Sequence, residues 1–401
     1  MQFNDVIGQH TVKQHLVEMM QHNRLSHALL FLGKEGSGSL PLALAFAQYI
    51  TCDKVQNKTA STSSLFGFEE PTAIVDRPLP LDSCGICPSC LKAKQYAHPD
   101  IHYSYPVIPK KSGDKPVSTD YIQEWREFLQ VHPYGNVYDW LQSIGAENKQ
   151  GNITAEECND IIRQLNLKSF ESEYKILVQW MPEYLGKEGN KLLKLIEEPP
   201  ANTLFILVAE NEEQILPTIL SRCQLVKVPQ LENAEVEAAL QTRSSTSPET
   251  ARQVAAIAQG NYREALQLLQ HAEEDWQSFL SEWLKVIIRR MLPEQLKWLD
   301  EVSKLGREKQ KQFLRYFSHL IGQSIRIKVL GADSIPMPEK EKDFAQRLGK
   351  IASVSQQHAI SEELDKAIYY IERNAHAKML FHALTIKLYH IIQDKALILA
   401  G

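Results

Sequence analysis

No stretch of this chain comes near the ~18 uncharged apolar residues that a membrane-crossing helix requires, and the opening residues Met1-Gln2-Phe3-Asn4-Asp5 carry neither the basic region nor the apolar run of a secretory leader. Both absences predict a cytoplasmic protein without membrane contact. Excess positive charge is missing too: 44 lysines and arginines face 49 aspartates and glutamates, a net charge of −5. DNA affinity is dominated by counterion release from basic contacts, so overall attraction to nucleic acid is not expected, and any DNA contact must be local or shared with partners. Cysteine is sparse, six residues in 401, and no internal repeat is evident. The length itself allows two or three domains, because single cores seldom grow past ~250–300 residues.

A further absence sits inside a motif. Gly33-Lys34-Glu35-Gly36-Ser37-Gly38-Ser39-Leu40 has the glycines of a phosphate-binding P-loop, yet Ser39 stands where the motif needs lysine and Leu40 where it needs Ser or Thr. In G-x-x-x-x-G-K-[ST] the glycines let backbone N–H groups close around phosphate, the lysine reaches the β- and γ-phosphates, and the hydroxyl holds Mg²⁺. The flanks fit the motif: His27 to Leu32 reads as a short buried strand and Leu40 to Ile50 as an apolar helix with Pro41 in its first turn. A second site downstream should carry the acidic pair that binds Mg²⁺ and activates water. The strand Tyr174 to Val178 is there, but it continues as Gln179-Trp180. An amide and an indole neither polarise water nor hold a hard cation. Each loss alone could be a plain turn or strand end; together they point to a nucleotide-binding fold without its own chemistry.

Three cysteines fall in Cys84-x₂-Cys87-x₂-Cys90. Reduced thiols clustered in this way favour a metal over disulfides. A closed zinc site needs four ligands, and Cys52 supplies the fourth if the segment from Asp53 to Ser83 loops out. An iron–sulfur spacing would place another cysteine where Lys94 stands. Structural zinc and a zinc-dependent nucleic-acid-binding ribbon both remain open from the spacing. Cys158 and Cys223 read as buried or incidental thiols.

Four segments give the chain a family likeness: Phe3, Gly8 and Gln9 in the opening, His27 to Gly33, the run Asn190-Lys191-Leu192-Leu193-Lys194-Leu195-Ile196-Glu197-Glu198-Pro199-Pro200, and Pro217 to Gln224 with Ser221-Arg222-Cys223 inside it. Together they resemble the AAA+ clamp-loader family of bacterial DNA polymerase III, and the broken P-loop and missing acidic pair resemble its delta-prime branch. The resemblance implies an α/β AAA+ core with a parallel sheet, a small helical lid and an all-α collar. It implies a hetero-oligomer with tau/gamma and delta type subunits, ATP bound by those partners, and loading of a sliding clamp onto primed DNA. Arg222 is implied to be an arginine finger acting in trans, a role worth ~10³–10⁵ in rate; the plain reading, a positive charge at the C-terminal end of a helix begun by Pro217, can hold together with it. Arg263 in Gly260-Asn261-Tyr262-Arg263 matches the sensor-2 position, with a surface helix arginine as the plain alternative. Gly33, Gly36, Gly38, Ser39 and Arg263 would form a degenerate nucleotide site. Cys52, Cys84, Cys87 and Cys90 match the family's zinc module, with a longer spacer after Cys52.

The expected organisation is a core over 1–229 with a zinc module at 52–90 and an insertion over about 110–151, a lid over 230–270, and a helical collar over 271–401. In the last region Trp276, Leu280, Trp283, Ile287 and Met291 recur at helical spacing, as do Leu364, Ile368, Ile371, Ala375 and Met379. Ser361 before Glu362-Glu363 reads as an N-cap, and Lys304, Arg307, Lys309, Lys311 and Arg315 as a solvated helix face. Three functions are compatible with the residues: a non-catalytic clamp-loader subunit, a degenerate but active ATPase using Lys34, and a zinc-dependent nucleic-acid-binding protein on an AAA+ scaffold.

Overall fold

A computed structural model describes residues 1–56, 79–111, 113–146, 149–270, 276–289, 292–331, 339–372 and 375–393. Most of the Asp53 to Ser83 spacer, residues 112, 147 and 148 of the insertion, and Met291 lie outside the described residues. The chain forms two compact units, Met1–Leu266 and Gln267–Gly401. Among the described residues no helix is long and apolar enough to cross a membrane.

In the first unit α1 (His10–Gln21) precedes β1 (Ala28–Leu32), the Gly-rich loop and α2 (Ser39–Thr51). Then come α3 (Pro88–Lys94), β2 (Ile101–Ser104), α4 (Ile122–Val131), α5 (Val137–Ser143), α6 (Ala155–Leu165) and β3 (Lys175–Trp180). After a run of 3₁₀ turns follow α7 (Leu193–Glu197), β4 (Thr203–Ala209), α8 (Pro217–Leu220) and β5 (Gln224–Lys227), and the unit closes with α9 (Asn233–Ser244), α10 (Pro248–Ala258) and the start of α11 (Tyr262–Gln270).

The five strands make one sheet in the order β2-β3-β4-β1-β5, and every pairing is parallel. A parallel sheet covered on both faces needs strands that are apolar throughout rather than alternating. ALLFL, KILVQW and TLFILVA meet that demand, and β3 and β4 are buried along their whole length. The two-residue period decides which core each residue enters. Leu29, Phe31, Val178 and Ile206 pack with α2, whereas Ala28, Leu30, Leu177 and Phe205 pack with Cys158, Ile161 and Leu165 of α6. Helix α2 is apolar on all sides and all thirteen of its residues are buried, the mark of a central helix. The α/β core with a parallel sheet expected from the sequence is present, and β2 and β5 are strands that sequence reasoning did not name.

The second unit contains α12 (Trp276–Arg289), α13 (Leu292–Lys304), α14 (Arg307–Leu330), α15 (Glu339–Ile351), α16 (Val354–Glu372) and α17 (Ala377–Gln393). Its core is aromatic at the centre: Trp283 stacks on Trp298 with ring centroids 4.7 Å apart, and Phe313, Phe317 and Phe381 surround them. The Trp283 Nε1–H is satisfied by Thr385 Oγ1 at 2.9 Å, as a buried indole requires.

Three sequence expectations fail in this unit. Ser361 lies well inside α16, which already starts at Val354, so it caps nothing. The stripe from Leu364 to Met379 is not one helix face, because α16 ends at Glu372, α17 starts at Ala377, and Met379 is 72% exposed. Lys311, expected on a solvated face, is 5% exposed on α14.

Candidate functional site

The Gly-rich loop joins the carboxyl end of β1 to the N-terminus of α2, the place where open α/β sheets bind ligands. Gly36 and Gly38 have φ of +72° and +91°, which L side chains rarely adopt. A Cβ on Gly36 would lie 1.9 Å from Asn261 Oδ1, so the glycine is required by close packing as well. Gln9 ties down the loop by donating to the Ser37 carbonyl at 3.0 Å and to the Pro229 carbonyl at 2.6 Å. Where a lysine would point outward, Ser39 is buried and its hydroxyl bonds Ser37 Oγ at 3.0 Å. Leu40 is also buried. The two positions thus carry a buried hydroxyl paired within the loop and a buried leucine.

The insertion covers this loop. Tyr134 stacks edge-on against Tyr262 at 4.9 Å, accepts the Ile7 N–H at 2.8 Å, and is the side chain nearest Gly38; burial pushes its phenol up to about 12. Asn136 caps α5 by accepting from the Asp139 N–H. Its amide also donates to Glu35 Oε2 at 2.9 Å. The remaining cavity, lined by Lys34, Ser39, Tyr134, Trp180, Met181 and Glu210 among others, has about 20 Å³, room for little more than one water.

Arg263 is not a surface arginine. It is 3% exposed, its Nε and Nη2 grip the two Asp139 oxygens at 2.5 and 2.6 Å, and its Nη1 reaches Glu35 Oε1 at 3.1 Å. Asn261 donates to the same Glu35 oxygen at 3.1 Å. Glu35 and Asp139 are site residues that sequence reasoning missed. Glu35 stood in plain view inside the loop, whereas Asp139 meets Arg263 across 124 positions.

Gln179 and Trp180 are the last residues of β3. Trp180 packs against Trp125 at 5.1 Å, and Trp125 stacks on Tyr105 at 4.0 Å and meets Trp140 edge-on at 5.1 Å. The indole therefore anchors the insertion to the sheet where a catalytic fold would place a carboxylate. A nearby carboxylate, Glu183, accepts the N–H groups of Glu210 and Asn211 at 2.7 and 2.9 Å. Burial outweighs those bonds and holds its pKa above the ordinary carboxylate range.

Arg222 follows α8 and Ser221 and is half-exposed. Its Nη1 donates to the Thr218 carbonyl at 2.6 Å, which serves the helix end, and its guanidinium pairs with Glu197. The conspicuous runs around Glu197 and Arg222 are thus in contact through these two residues.

Cys52 caps the C-terminal end of α2, and Cys84, Cys87 and Cys90 come from the loop before α3 and its first turn. All four sulfurs lie within 4.8 Å of one another. Tetrahedral thiolate coordination with bonds of about 2.3 Å separates sulfurs by about 3.8 Å, and Cys84 and Cys90 are 3.9 Å apart. The N–H groups of Cys84, Cys87 and Cys90 each donate to a neighbouring cysteine sulfur at 3.4 Å, which suits thiolates. The donor set fits a four-coordinate metal ion. Cys158 is buried and Cys223 half-buried; burial pushes both thiols up to about 11.

Fold and site together define an α/β protein with a parallel sheet and a Gly-rich loop between β1 and α2, in which Ser39 and Leu40 stand at the positions that a P-loop gives to Lys and to Ser or Thr. The profile of the DNA polymerase III, delta subunit family matches residues 8–66 and 71–232, and the chain belongs to that family. It is 26% identical over 259 residues to the DNA polymerase III subunit delta' of Bacillus subtilis, covering 64% of this chain and 58% of that protein. It is likewise 26% identical over 216 residues to the delta' subunit of Haemophilus influenzae, covering 54% and 45%. The tau/gamma subunit of Haemophilus influenzae is 24% identical over 276 residues, covering 67% and 30%. The matched part thus spans under two thirds of each relative's length.

Proposed function

We propose that this chain is the non-hydrolysing, delta'-type member of a DNA polymerase III clamp loader. The supporting observation is the loop between β1 and α2: it keeps the glycine geometry, while Ser39, Leu40 and Trp180 replace the groups that bind phosphate, hold Mg²⁺ and activate water. In this reading ATP is bound by tau/gamma type partners. The assembly, with a delta-type subunit, opens a sliding clamp and places it on primed DNA. Residues 230–270 act as the lid, and 271–401 as a collar that joins like domains.

Arg222 would reach the ATP of the neighbouring subunit, where a planar guanidinium matches phosphate oxygens. To do so it exchanges Glu197, a half-exposed partner within its own chain, for phosphate. Cys52, Cys84, Cys87 and Cys90 would hold one structural Zn²⁺, which supplies no chemistry beyond fastening the segment before α3 to the end of α2.

The test is phosphate release. The purified chain with ATP should release none, whereas a reconstituted complex should hydrolyse ATP on primed DNA only when the chain is present. Steady release by the chain alone, abolished by substitutions around Gly38, would overturn the reading in favour of a degenerate but active ATPase.

A further inference from the structure

We infer that Asp139, with Glu35, is a resident anion of the relict nucleotide pocket: it occupies Arg263 as a phosphate would, excludes phosphates from the loop, and fastens the start of α11 to the insertion without any ligand. The inference deepens the non-hydrolysing reading and rests on it. A guanidinium forks a carboxylate with the same two parallel bonds that it makes to phosphate. Here the fork is complete, with both Asp139 oxygens engaged at 2.5 and 2.6 Å.

Glu35 extends the arrangement into the loop itself, since it accepts from Arg263, Asn261 and Asn136 at 3.1, 3.1 and 2.9 Å. One loop carboxylate therefore gathers a residue of the insertion and two residues around the start of α11. Two carboxylates against one guanidinium give this network a net negative charge beside a cavity whose lining includes Lys34 and Glu210, and a charge this buried repels an incoming phosphate. The side chains are 16%, 16% and 4% exposed for Glu35, Asp139 and Arg263, so water screens the network little.

The insertion is built to deliver this anion. Asp139 is presented at the first turn of α5, accepts the Asn136 N–H at 3.2 Å, and is backed by Trp140 of the aromatic cluster that Trp180 anchors. Its place at the helix start is thus set locally by the reciprocal capping bonds with Asn136.

The test uses the full chain and inorganic pyrophosphate as probe, followed by calorimetry. Wild type should not bind. Glu35→Gln with Asp139→Asn keeps the shapes and removes both charges, and should gain affinity by about tenfold or more; adding Arg263→Ala should cancel the gain. A folded double variant that still fails to bind, or binding by wild type, would sink the resident-anion claim, whereas the non-hydrolysing reading fails separately, on phosphate release from ATP by the chain alone.

Hydrogen exchange gives an independent readout on the single variants. Asp139→Asn and Arg263→Lys should each speed exchange in both α5 and the first turn of α11, and the two together should add little. Acceleration confined to the mutated segment, or effects that simply add, would overturn the proposed fastening.

Discussion

Replacing Arg222 by alanine separates its place in the fold from the role proposed for it in a partner's site. The arginine side chain is 30% exposed and that of Glu197 is 45% exposed, and pairs so open to water are worth ~0.2–1 kcal/mol. The bond to the Thr218 carbonyl adds about 1 kcal/mol at most. Arg222→Ala should thus cost the isolated chain about 1–2 kcal/mol, a fall of a few degrees in melting temperature for a unit of this size. An arginine finger, in contrast, contributes ~10³–10⁵ to rate, and 10³ alone corresponds to about 4 kcal/mol of transition-state stabilisation. The assay is phosphate release by a reconstituted complex at saturating clamp and primed DNA, with assembly confirmed by sedimentation. Turnover at the neighbouring site should fall by roughly three orders of magnitude while assembly holds. Arg222→Lys should recover little, because an ammonium lacks the planar fork. Glu197→Gln, which weakens the internal tether, should leave turnover at least at the wild-type level. Unchanged turnover by assembled Arg222→Ala would refute the reasoning.

Elemental analysis of the purified chain should find about one zinc per molecule, lost in Cys87→Ser with a drop in melting temperature; a metal-free chain of unchanged stability would count against the site. Trp180→Ala removes a side chain that is 3% exposed and bears on Trp125 and Phe128, so it should cost ~3–5 kcal/mol in urea unfolding of the first unit. Asp100 is buried, which raises a carboxyl's pKa, but it accepts the N–H groups of Phe170, Glu171 and Ser172 at 2.5–2.8 Å, and the net effect holds its pKa below the ordinary value of 3.8. A depressed folded pKa means stability that is present above the unfolded pKa and lost as pH falls through the folded one. The stability gap between wild type and Asp100→Asn should accordingly be constant near neutrality and close below about pH 4; a gap that does not narrow in acid would contradict this.

The parts of the molecule that were legible in sequence are those fixed by local chemistry. A Gly-rich loop between an apolar strand and an apolar helix, three cysteines at fixed spacing with a fourth at a helix end, and two apolar runs of strand length each carry their signal within a short window. What stayed hidden depends on partners far along the chain. The edge strand β5 has only one buried residue, Val226, so no apolar run marks it. The insertion gave no sign of its destination, because Trp180, Gly38 and Arg263 lie distant in sequence. Lys311 and Ser361 misled for a related reason: a charge run and a Ser-Glu-Glu sequence are statistical signs of solvent and of helix starts, and in a bundle of long helices the packing of α14 and α16 overrides both.

Trp180 has a consequence for which substitutions the end of β3 can accept. An acid placed at the end of β3 would put a charge among Trp125, Trp140 and Phe128, whose mutual contacts hold the insertion in place, and burying such a charge costs several kcal/mol. A lysine at Ser39 would have to fit a buried position in a loop that Tyr134 and Asn136 already contact. Either single substitution should therefore lower stability, because the space and the environment that the new group needs are already taken. The same side chains that fasten the insertion thereby set which residues these two positions can hold.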